Sequence, residues 1–179
     1  MRLFAAADLP AAVRAPLAAW GAECAAIVPG LRAVPEERLH LTLVFLGSRD
    51  GSDAARIGEL VTACADGPVD VALGGALWLA PRRPHVLTVE VADDSGRLAA
   101  LQARVSEALE RDAGHAPEAR RWRPHVTAAR VRRGARVRPG DVALPRVPSP
   151  SFALEALTLY RSHPGPAPRY EALARTRLE

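Results

Sequence analysis

Residues 40–47 have the sequence HLTLVFLG, and residues 123–130 have the sequence RPHVTAAR. Each segment contains a histidine followed two positions later by a threonine. The residues concerned are His40, Thr42, His125 and Thr127. Side chains two positions apart on a β-strand point to the same face of the sheet. If the two segments form neighbouring strands, two imidazoles and two hydroxyls face one point, and such a set can bind a phosphate and transfer protons on either side of it.

Alternation of residue types predicts which face of each segment is buried. The first segment carries an apolar set that we expect in the core: Leu39, Leu41, Leu43 and Phe45. The opposite face, with His40 and Thr42, is expected to line a cleft. In the second segment Arg123 shares the face of His125, whereas Arg130 has the opposite parity. Contact between Arg130 and a ligand of the histidines therefore requires the strand to end or twist.

The chain around these segments predicts two similar halves. The first half has a strand at 2–7, a helix capped by Asp8 and then the first histidine segment. The second half has a strand at 86–92, a helix capped by Ser95 and then the second histidine segment. We therefore expect an α+β fold with two pseudo-symmetric lobes, in which antiparallel sheets line a central cleft and helices lie outside. Residues 1–179 would form a single domain of these two lobes.

Further elements follow from apolar spacing and from breaker residues. The first helix is expected to end at Pro29-Gly30 and the third helix at Gly114, since proline and glycine stop helices. A second helix is predicted at 52–65. The remaining predicted elements are strands at 69–79, 152–161 and 170–178, a turn at 81–84 and a loop at 132–150.

The charge of the chain comes from an unusual set of residues. All 24 basic residues are arginine and none is lysine, against 20 acidic residues. Together with abundant alanine and proline, this composition indicates a GC-rich genome rather than a requirement for basic side chains. The distribution is more informative, because eight arginines and no acidic residue fall within 120–138, around the second histidine segment. This cluster either attracts polyanions such as RNA or forms a solvated basic loop.

Several classes of protein are excluded by what the sequence lacks. Without lysine, the chain cannot form the covalent lysyl-nucleotide of ATP-dependent ligases. It contains neither a Gly-x-x-x-x-Gly-Lys phosphate loop nor a Gly-x-Gly-x-x-Gly segment after a strand. Cys24 and Cys64 are expected to be buried thiols rather than part of a disulfide or a zinc site. Neither a signal peptide nor a membrane span is apparent, so we expect a cytoplasmic monomer that does not bind membranes.

Paired imidazoles suit the hydrolysis of a cyclic phosphodiester. One histidine takes a proton from the attacking water and the other protonates the departing alkoxide, and an ordinary pKa near 6.5 suits both tasks. Threonine hydroxyls donate to the non-bridging oxygens, and a nearby arginine adds positive charge. Such a site requires neither a metal nor a cofactor. No catalytic role is expected for the remaining histidines, which are His85, His115 and His163.

Residues 40–47, residues 123–130 and the segment LTLYRS at 157–162, followed by Gly165 and Tyr170, together resemble the 2H phosphoesterase superfamily. The resemblance is to its RNA 2′,3′-cyclic phosphodiesterases, once named 2′-5′ RNA ligases, and covers essentially the whole chain. It implies the two-lobed 2H phosphoesterase fold and hydrolysis of RNA 2′,3′-cyclic phosphate ends to 2′-phosphates, with reversible 2′-5′ ligation as an accompanying capability. The partners implied are RNA ends or nucleoside 2′,3′-cyclic phosphates, with no cofactor and no metal.

The resemblance also assigns roles to individual residues. It makes His40 and His125 the acid and the base, Thr42 and Thr127 the phosphate ligands, and Arg130 a ligand of the phosphate or the nucleotide. By analogy with the family, His125 activates water and His40 protonates the 3′ oxygen, although the pseudo-symmetry permits the reverse.

The chain departs from the family pattern at two places. Ala128 stands where a larger apolar residue is usual, which predicts local repacking. Residues 85–88, HVLT, replace a segment that often carries an arginine and an aromatic residue. The sequence therefore does not predict how the base or sugar is held, or which substrate is preferred. Two other functions also remain open. One is hydrolysis of another small cyclic phosphate, such as an ADP-ribose derivative, and the other is RNA binding without chemistry, which predicts salt-sensitive binding and no turnover.

Overall fold

The computed structural model describes residues 1–80, 82–117, 119–165 and 168–179. Pro81, at the start of the turn predicted at 81–84, lies outside the described residues. The strands are β1 (Arg2–Asp8), β2 (Leu31–Ala33), β3 (His40–Ser48), β4 (Asp70–Leu79), β5 (Val86–Ala92), β6 (His125–Val131), β7 (Ser151–Ala153), β8 (Ala156–His163) and β9 (Arg169–Arg177). The helices are α1 (Ala11–Ile27), α2 (Ala54–Thr62) and α3 (Arg97–Ala113), with a 3₁₀ turn at Glu36–Arg38.

The strands join in a single antiparallel sheet in the order β7-β4-β5-β6-β3-β1-β8-β9, and β2 pairs with β6. The two histidine strands, β3 and β6, meet at the centre, where Leu41 lies opposite Val126. On either side of this seam, β1 and β5 occupy equivalent places, as the predicted pseudo-twofold relation requires. The predicted α+β fold is confirmed, with the sheets of the two lobes continuous as one curled sheet.

Helices α1 and α3 each pack against the half of the sheet opposite to the strand that they follow. Helix α1, which follows β1, packs against β2 and β6 of the other half, whereas α3, which follows β5, packs against β3. Helix α2 packs against α3, β8 and β9. Each histidine strand is therefore held from behind by the helix of the opposite half, and this exchange fixes the two strands relative to each other. None of the described helices has the length and apolar character needed to cross a membrane.

Helix α1 approaches β6 closely through a glycine. Apolar spacing predicts a buried stripe of Val13, Leu17, Trp20, Cys24 and Ile27, and the first four are buried, whereas Ile27 at the end of the helix is exposed. Gly21 lies beside this stripe, and a Cβ atom there would come within 2.8 Å of the carbonyl oxygen of Ala128. The small side chain of Ala128, fully buried, leaves room for this approach. The small side chain of Ala128 is therefore matched to the close packing of α1, in line with the local repacking predicted from the sequence.

Replacing Gly21 with alanine tests this contact. Glycine to alanine inside a helix ordinarily stabilises a protein by up to about 1 kcal/mol. Here the added methyl group would push α1 away from β6, and such overpacking costs about 1–3 kcal/mol. We expect Gly21→Ala to lower the free energy of unfolding by about 1 kcal/mol in urea denaturation. Ala22→Gly, at an exposed neighbouring position, measures the intrinsic preference alone, and a stabilised Gly21→Ala protein would contradict the close packing.

The expected cap of α1 is wrong. Asp8 is the last residue of β1, and α1 begins after Pro10 with no side-chain cap. The Asp8 carboxylate instead points across the sheet, where Thr158, Tyr160 and Arg175 donate hydrogen bonds to it. These three charged or polar donors outcompete the backbone amides of the helix.

The start of α3 is capped by two side chains rather than by Ser95 alone. The Ser95 hydroxyl accepts a hydrogen bond from the amide of Arg97 at 3.3 Å. The Asp93 carboxylate accepts from the amides of Leu98 and Ala99 at 3.2 and 2.8 Å. Since a carboxylate also complements the helix dipole, Asp93 is the principal cap. Helix α3 ends at Gly114, as predicted, in the left-handed conformation with φ of 58°.

Two smaller predictions need correction. The strand predicted at 152–161 is two strands, because β7 pairs with β4 whereas β8 pairs with β1. Cys24 is fully buried, but Cys64 is only half-buried, since α2 is shorter than predicted and ends before it. The two thiols are not bonded to each other.

Candidate active site

The four motif side chains lie together in one groove at the seam of the sheet. His40 and Thr42 come from β3, and His125 and Thr127 come from β6. The groove has a volume of about 410 Å³. Alternation along each strand places the histidine and threonine of a pair on the groove side, while Leu41 and Val126 between them are fully buried. The juxtaposition expected from the sequence is therefore present.

Both imidazoles are oriented by the same backbone contact. His40 Nδ1 lies 2.8 Å from the carbonyl oxygen of Arg38, and His125 Nδ1 lies 2.7 Å from that of Arg123. In each case the carbonyl belongs to the residue two positions earlier. Because a carbonyl only accepts, Nδ1 carries the proton, and Nε2 of the neutral ring is left as an acceptor. Each ring thus presents Nε2 for proton transfer.

His40 is packed among aromatic rings whose contact with it the sequence did not predict. The ring centroids of Phe4 and Tyr170 lie 4.9 and 5.1 Å from that of His40, and Tyr160 lies 6.3 Å away. This burial disfavours the charged imidazolium and lowers the pKa of His40 from 6.5 to about 4, against the raising influence of the Arg38 carbonyl and Asp8. His40 is therefore neutral at neutral pH.

The lowered pKa of His40 makes stability depend on pH. Unfolding restores the ordinary pKa of 6.5, so the unfolded chain binds more protons than the folded protein between about pH 6.5 and pH 4. Stability contributed by the neutral ring is present above this window and is lost as the pH falls through it. We expect the loss from this residue to be about 2 kcal/mol between pH 7 and pH 5. Urea denaturation of the wild type and His40→Gln should show a smaller loss in the variant, and equal losses would contradict the assignment.

A bulge in β6 brings Arg130 to the groove. Leu87 pairs with Ala129 and Thr88 pairs with Thr127, so Ala128 has no partner on β5. The extra residue reverses the alternation, which buries both alanines and turns Arg130 to the groove side. Contact between Arg130 and a ligand of the histidines required an irregularity in the strand. The bulge at Ala128 is that irregularity.

A bulge in β3 overturns the expectation that Phe45 lies in the core. Ala5 pairs with Val44 and Ala6 pairs with Thr42, which leaves Leu43 without a partner on β1. The alternation is reversed beyond Leu43, and Phe45 lies on the side of the motif residues with 59% of its surface exposed. Phe45 lines the groove instead of the core.

The Asp8 carboxylate anchors the strands that flank the groove. Asp8 is buried and pairs in register with His40 across β1 and β3. It accepts hydrogen bonds from the Tyr160 hydroxyl at 2.8 Å, Thr158 Oγ1 at 2.9 Å and Arg175 Nε at 3.0 Å. Burial and the Asp8 charge raise the pKa of the Tyr160 phenol, so it stays protonated and donates. A carboxylate that ends an otherwise apolar strand was the only sequence signal for this network.

The other histidines lie outside the groove. His163 Nε2 lies 2.7 Å from a Glu171 carboxylate oxygen, and His115 Nδ1 lies 3.4 Å from Arg49. His85 is exposed, while Thr88 of the same segment is buried and donates to the Leu77 carbonyl at 2.8 Å. Among the described residues, no three His, Cys, Asp or Glu side chains are placed to hold a metal ion.

Comparisons with known proteins agree with this architecture. A curated RNA 2′,3′-cyclic phosphodiesterase of Aeropyrum pernix is 32% identical over 154 residues, which are 80% of this chain and 86% of that protein. A crystal structure of a Thermus thermophilus protein superposes with a TM-score of 0.79 at 26% identity, over 99% of this chain and 98% of that one. Escherichia coli LigT complexed with 3′-AMP gives a TM-score of 0.74 at 27% identity, over 99% and 97%.

A family model described as the 2′-5′ RNA ligase superfamily matches residues 9–166, a span that includes both histidine strands, α1 and α3. The match covers most of the chain and includes strands of both halves of the sheet. The chain therefore belongs to the 2′-5′ RNA ligase superfamily, the 2H phosphoesterases.

Proposed function

We propose that this protein hydrolyses RNA 2′,3′-cyclic phosphate ends to 2′-phosphates, without a metal, in the groove between β3 and β6. One observation carries the proposal. His40 and His125 occupy neighbouring strands, and each has Nδ1 held by a backbone carbonyl, so that two equivalent Nε2 atoms serve one groove. A binding module has no need of two oriented proton-transfer groups. The activity of the curated relative in Aeropyrum pernix is consistent with this function.

The reaction divides the two imidazoles between two proton transfers. Neutral His125 accepts a proton from water as the water oxygen attacks phosphorus. The bond from phosphorus to the 3′ oxygen breaks, and His40 gives its proton to that oxygen, which leaves the phosphate on the 2′ oxygen. Thr42 and Thr127 donate to the non-bridging oxygens, and Arg130 offsets their negative charge. After the reaction His125 is protonated and His40 is neutral. Proton exchange with solvent returns both to their starting states.

The acid role requires His40 to gain a proton when substrate binds. Burial among aromatic rings holds its pKa near 4. A cyclic phosphodiester is an anion, and an anion beside the ring favours the imidazolium. Substrate binding is therefore coupled to proton uptake by His40. The pH-rate profile for kcat should lose its high-pH limb in His40→Ala, and loss of the low-pH limb instead would reverse the roles of the two histidines.

The activity itself is tested with an oligoribonucleotide ending in a 2′,3′-cyclic phosphate, incubated with the protein in excess chelator. The expected product carries a 2′-phosphate, which is identified by its migration against 2′- and 3′-phosphate standards. Salt-sensitive binding without turnover would overturn the proposal in favour of an RNA-binding module. Turnover of an ADP-ribose cyclic phosphate but not of the RNA end would identify a different substrate. Incubation of the product with a 5′-hydroxyl oligonucleotide tests whether 2′-5′ ligation accompanies hydrolysis.

A single chain is sufficient for this proposed reaction. Every group assigned a role comes from the same chain, with His40 and Thr42 from one half and His125 and Thr127 from the other. We propose that the monomer is the active form.

A further inference from the structure

A second cavity opens beside the groove, and we call it the α3 cavity. Its volume is about 480 Å³, and it lies between α3, β3 and the segment that precedes β6. It shares Thr42, Phe45 and His125 with the groove, but not His40 or Thr127. The two spaces therefore meet at Thr42 and His125, and the rest of the α3 cavity has no part in the proposed reaction.

The α3 cavity carries positive charge that the proposed reaction does not use. Arg120, Arg121 and Arg123 all line it. Arg123 forms an ion pair with Glu90. Arg120 and Arg121 are exposed, and within the part of the chain that the structure describes they form no ion pair. Two guanidinium groups beside a continuous cavity suit a second phosphodiester, since arginine binds phosphate through paired hydrogen bonds.

Aromatic side chains provide the other half of a nucleotide site. Phe45 lies at the junction of the two cavities and is the most exposed of the described large hydrophobic residues, at 59%. Trp122 lines the α3 cavity, and its indole N–H donates to the Thr42 carbonyl at 3.1 Å. This hydrogen bond ties the segment before β6 to β3 and holds the half-buried indole at the cavity wall. Exposed aromatic faces beside arginine are the usual platform on which single-stranded bases stack.

We propose that the α3 cavity binds the nucleotide joined to the one that carries the cyclic phosphate, with its base against Phe45 or Trp122 and its phosphodiester beside Arg120 and Arg121. This inference rests on the proposed function and narrows its substrate class. An RNA end with at least two nucleotides fills both cavities, whereas a mononucleoside 2′,3′-cyclic phosphate fills one. The enzyme should accordingly favour oligonucleotide ends over cyclic mononucleotides.

The test compares kcat/KM for a dinucleotide ending in a 2′,3′-cyclic phosphate with kcat/KM for the matching mononucleoside 2′,3′-cyclic phosphate. The wild type should favour the dinucleotide by about 10-fold or more, as expected when one base stack and one charged contact are added. The double variant Arg120→Gln/Arg121→Gln should lose most of this preference and keep its activity on the mononucleotide. Arg136→Gln, an exposed arginine that lines neither cavity, is the matched control and should behave as the wild type.

A second variant closes the cavity without removing charge. Ser106 lies on α3 and lines the cavity, so Ser106→Phe places a ring in the space proposed for the nucleotide. The variant should lose the dinucleotide preference and retain mononucleotide turnover. Equal kcat/KM for the two substrates in the wild type, or equal losses on both in these variants, would overturn the inference. Turnover of neither substrate by the wild type would instead overturn the proposed function, so the two failures are distinguishable.

Discussion

Replacing either His40 or His125 with alanine is expected to lower kcat for a 2′,3′-cyclic phosphate by about 10²–10⁴-fold, the usual contribution of a positioned acid or base. Each ring is held by a backbone carbonyl, so neither can take over the task of the other. The double variant should be only slightly less active than the single variants, because two groups that act in one step do not contribute independently. Single-turnover kinetics on the RNA end measures these losses at the chemical step.

Two controls separate chemistry from folding. His85→Ala removes an exposed imidazole outside the groove and should leave kcat unchanged. His40→Gln keeps most of the volume that packs against Phe4 and Tyr170, so a loss of activity equal to that of His40→Ala identifies the missing proton rather than a cavity. A His40 or His125 variant that is folded and retains full turnover would contradict the mechanism.

The second large effect is expected at the threonines. Thr42→Val and Thr127→Val exchange a hydroxyl for a methyl group of similar size, and each should lower kcat by about 10²-fold through the loss of a donor to the developing charge. The substrate KM should change less, because the charge on the non-bridging oxygens grows in the transition state. Steady-state kinetics on the oligonucleotide separates kcat from KM.

Thr88 provides the matched comparison for these two substitutions. It is fully buried on β5, and its hydroxyl donates to the Leu77 carbonyl instead of lining the groove. Thr88→Val should therefore lower the free energy of unfolding by about 1–2 kcal/mol and leave kcat close to that of the wild type. The opposite pattern, with stable but inactive Thr88→Val and fully active Thr42→Val, would contradict the assignment of the hydroxyls.

Alternation along the strands was sufficient to predict the placement of the motif side chains. His40 and Thr42 share a face because a strand repeats every two residues, and the same holds for His125 and Thr127. The match between the two halves predicted that both pairs would face one central cleft, and the direct pairing of β3 with β6 is what the structure adds. Periodicity is a local property, so it remained reliable wherever the pairing was regular.

The alternation ceased to predict correctly at the bulges. Leu43 and Ala128 each lack a partner on the neighbouring strand, and each reverses the faces of the residues that follow. Phe45 and Arg130 consequently reach the groove although their parity placed them elsewhere. The position of a bulge depends on the pairing with β1 and β5, which are separate segments of the chain. The residue pattern of β3 or β6 alone therefore does not predict it.

Polar networks were also decided by distant residues. Asp8 precedes a helix and has the sequence context of a cap, yet it binds Thr158, Tyr160 and Arg175, which enter from β8 and β9. The aromatic packing of His40 likewise depends on Tyr170 of β9. Both features exist because β8 and β9 lie next to β1 in the sheet, and this strand order cannot be read from any one segment.

The division of the two proton transfers is tested most directly with a leaving group that needs no acid. In a substrate whose 3′ bridging oxygen is replaced by sulfur, the thiolate departs without protonation because thiols are far more acidic than alcohols. This substrate should restore His40→Ala to within about 10-fold of the wild type, since only the acid is missing. His125→Ala, which lacks the base, should remain inactive. Failure to restore His40→Ala, or equal restoration of both variants, would contradict the assignment of one histidine to each side of the phosphate.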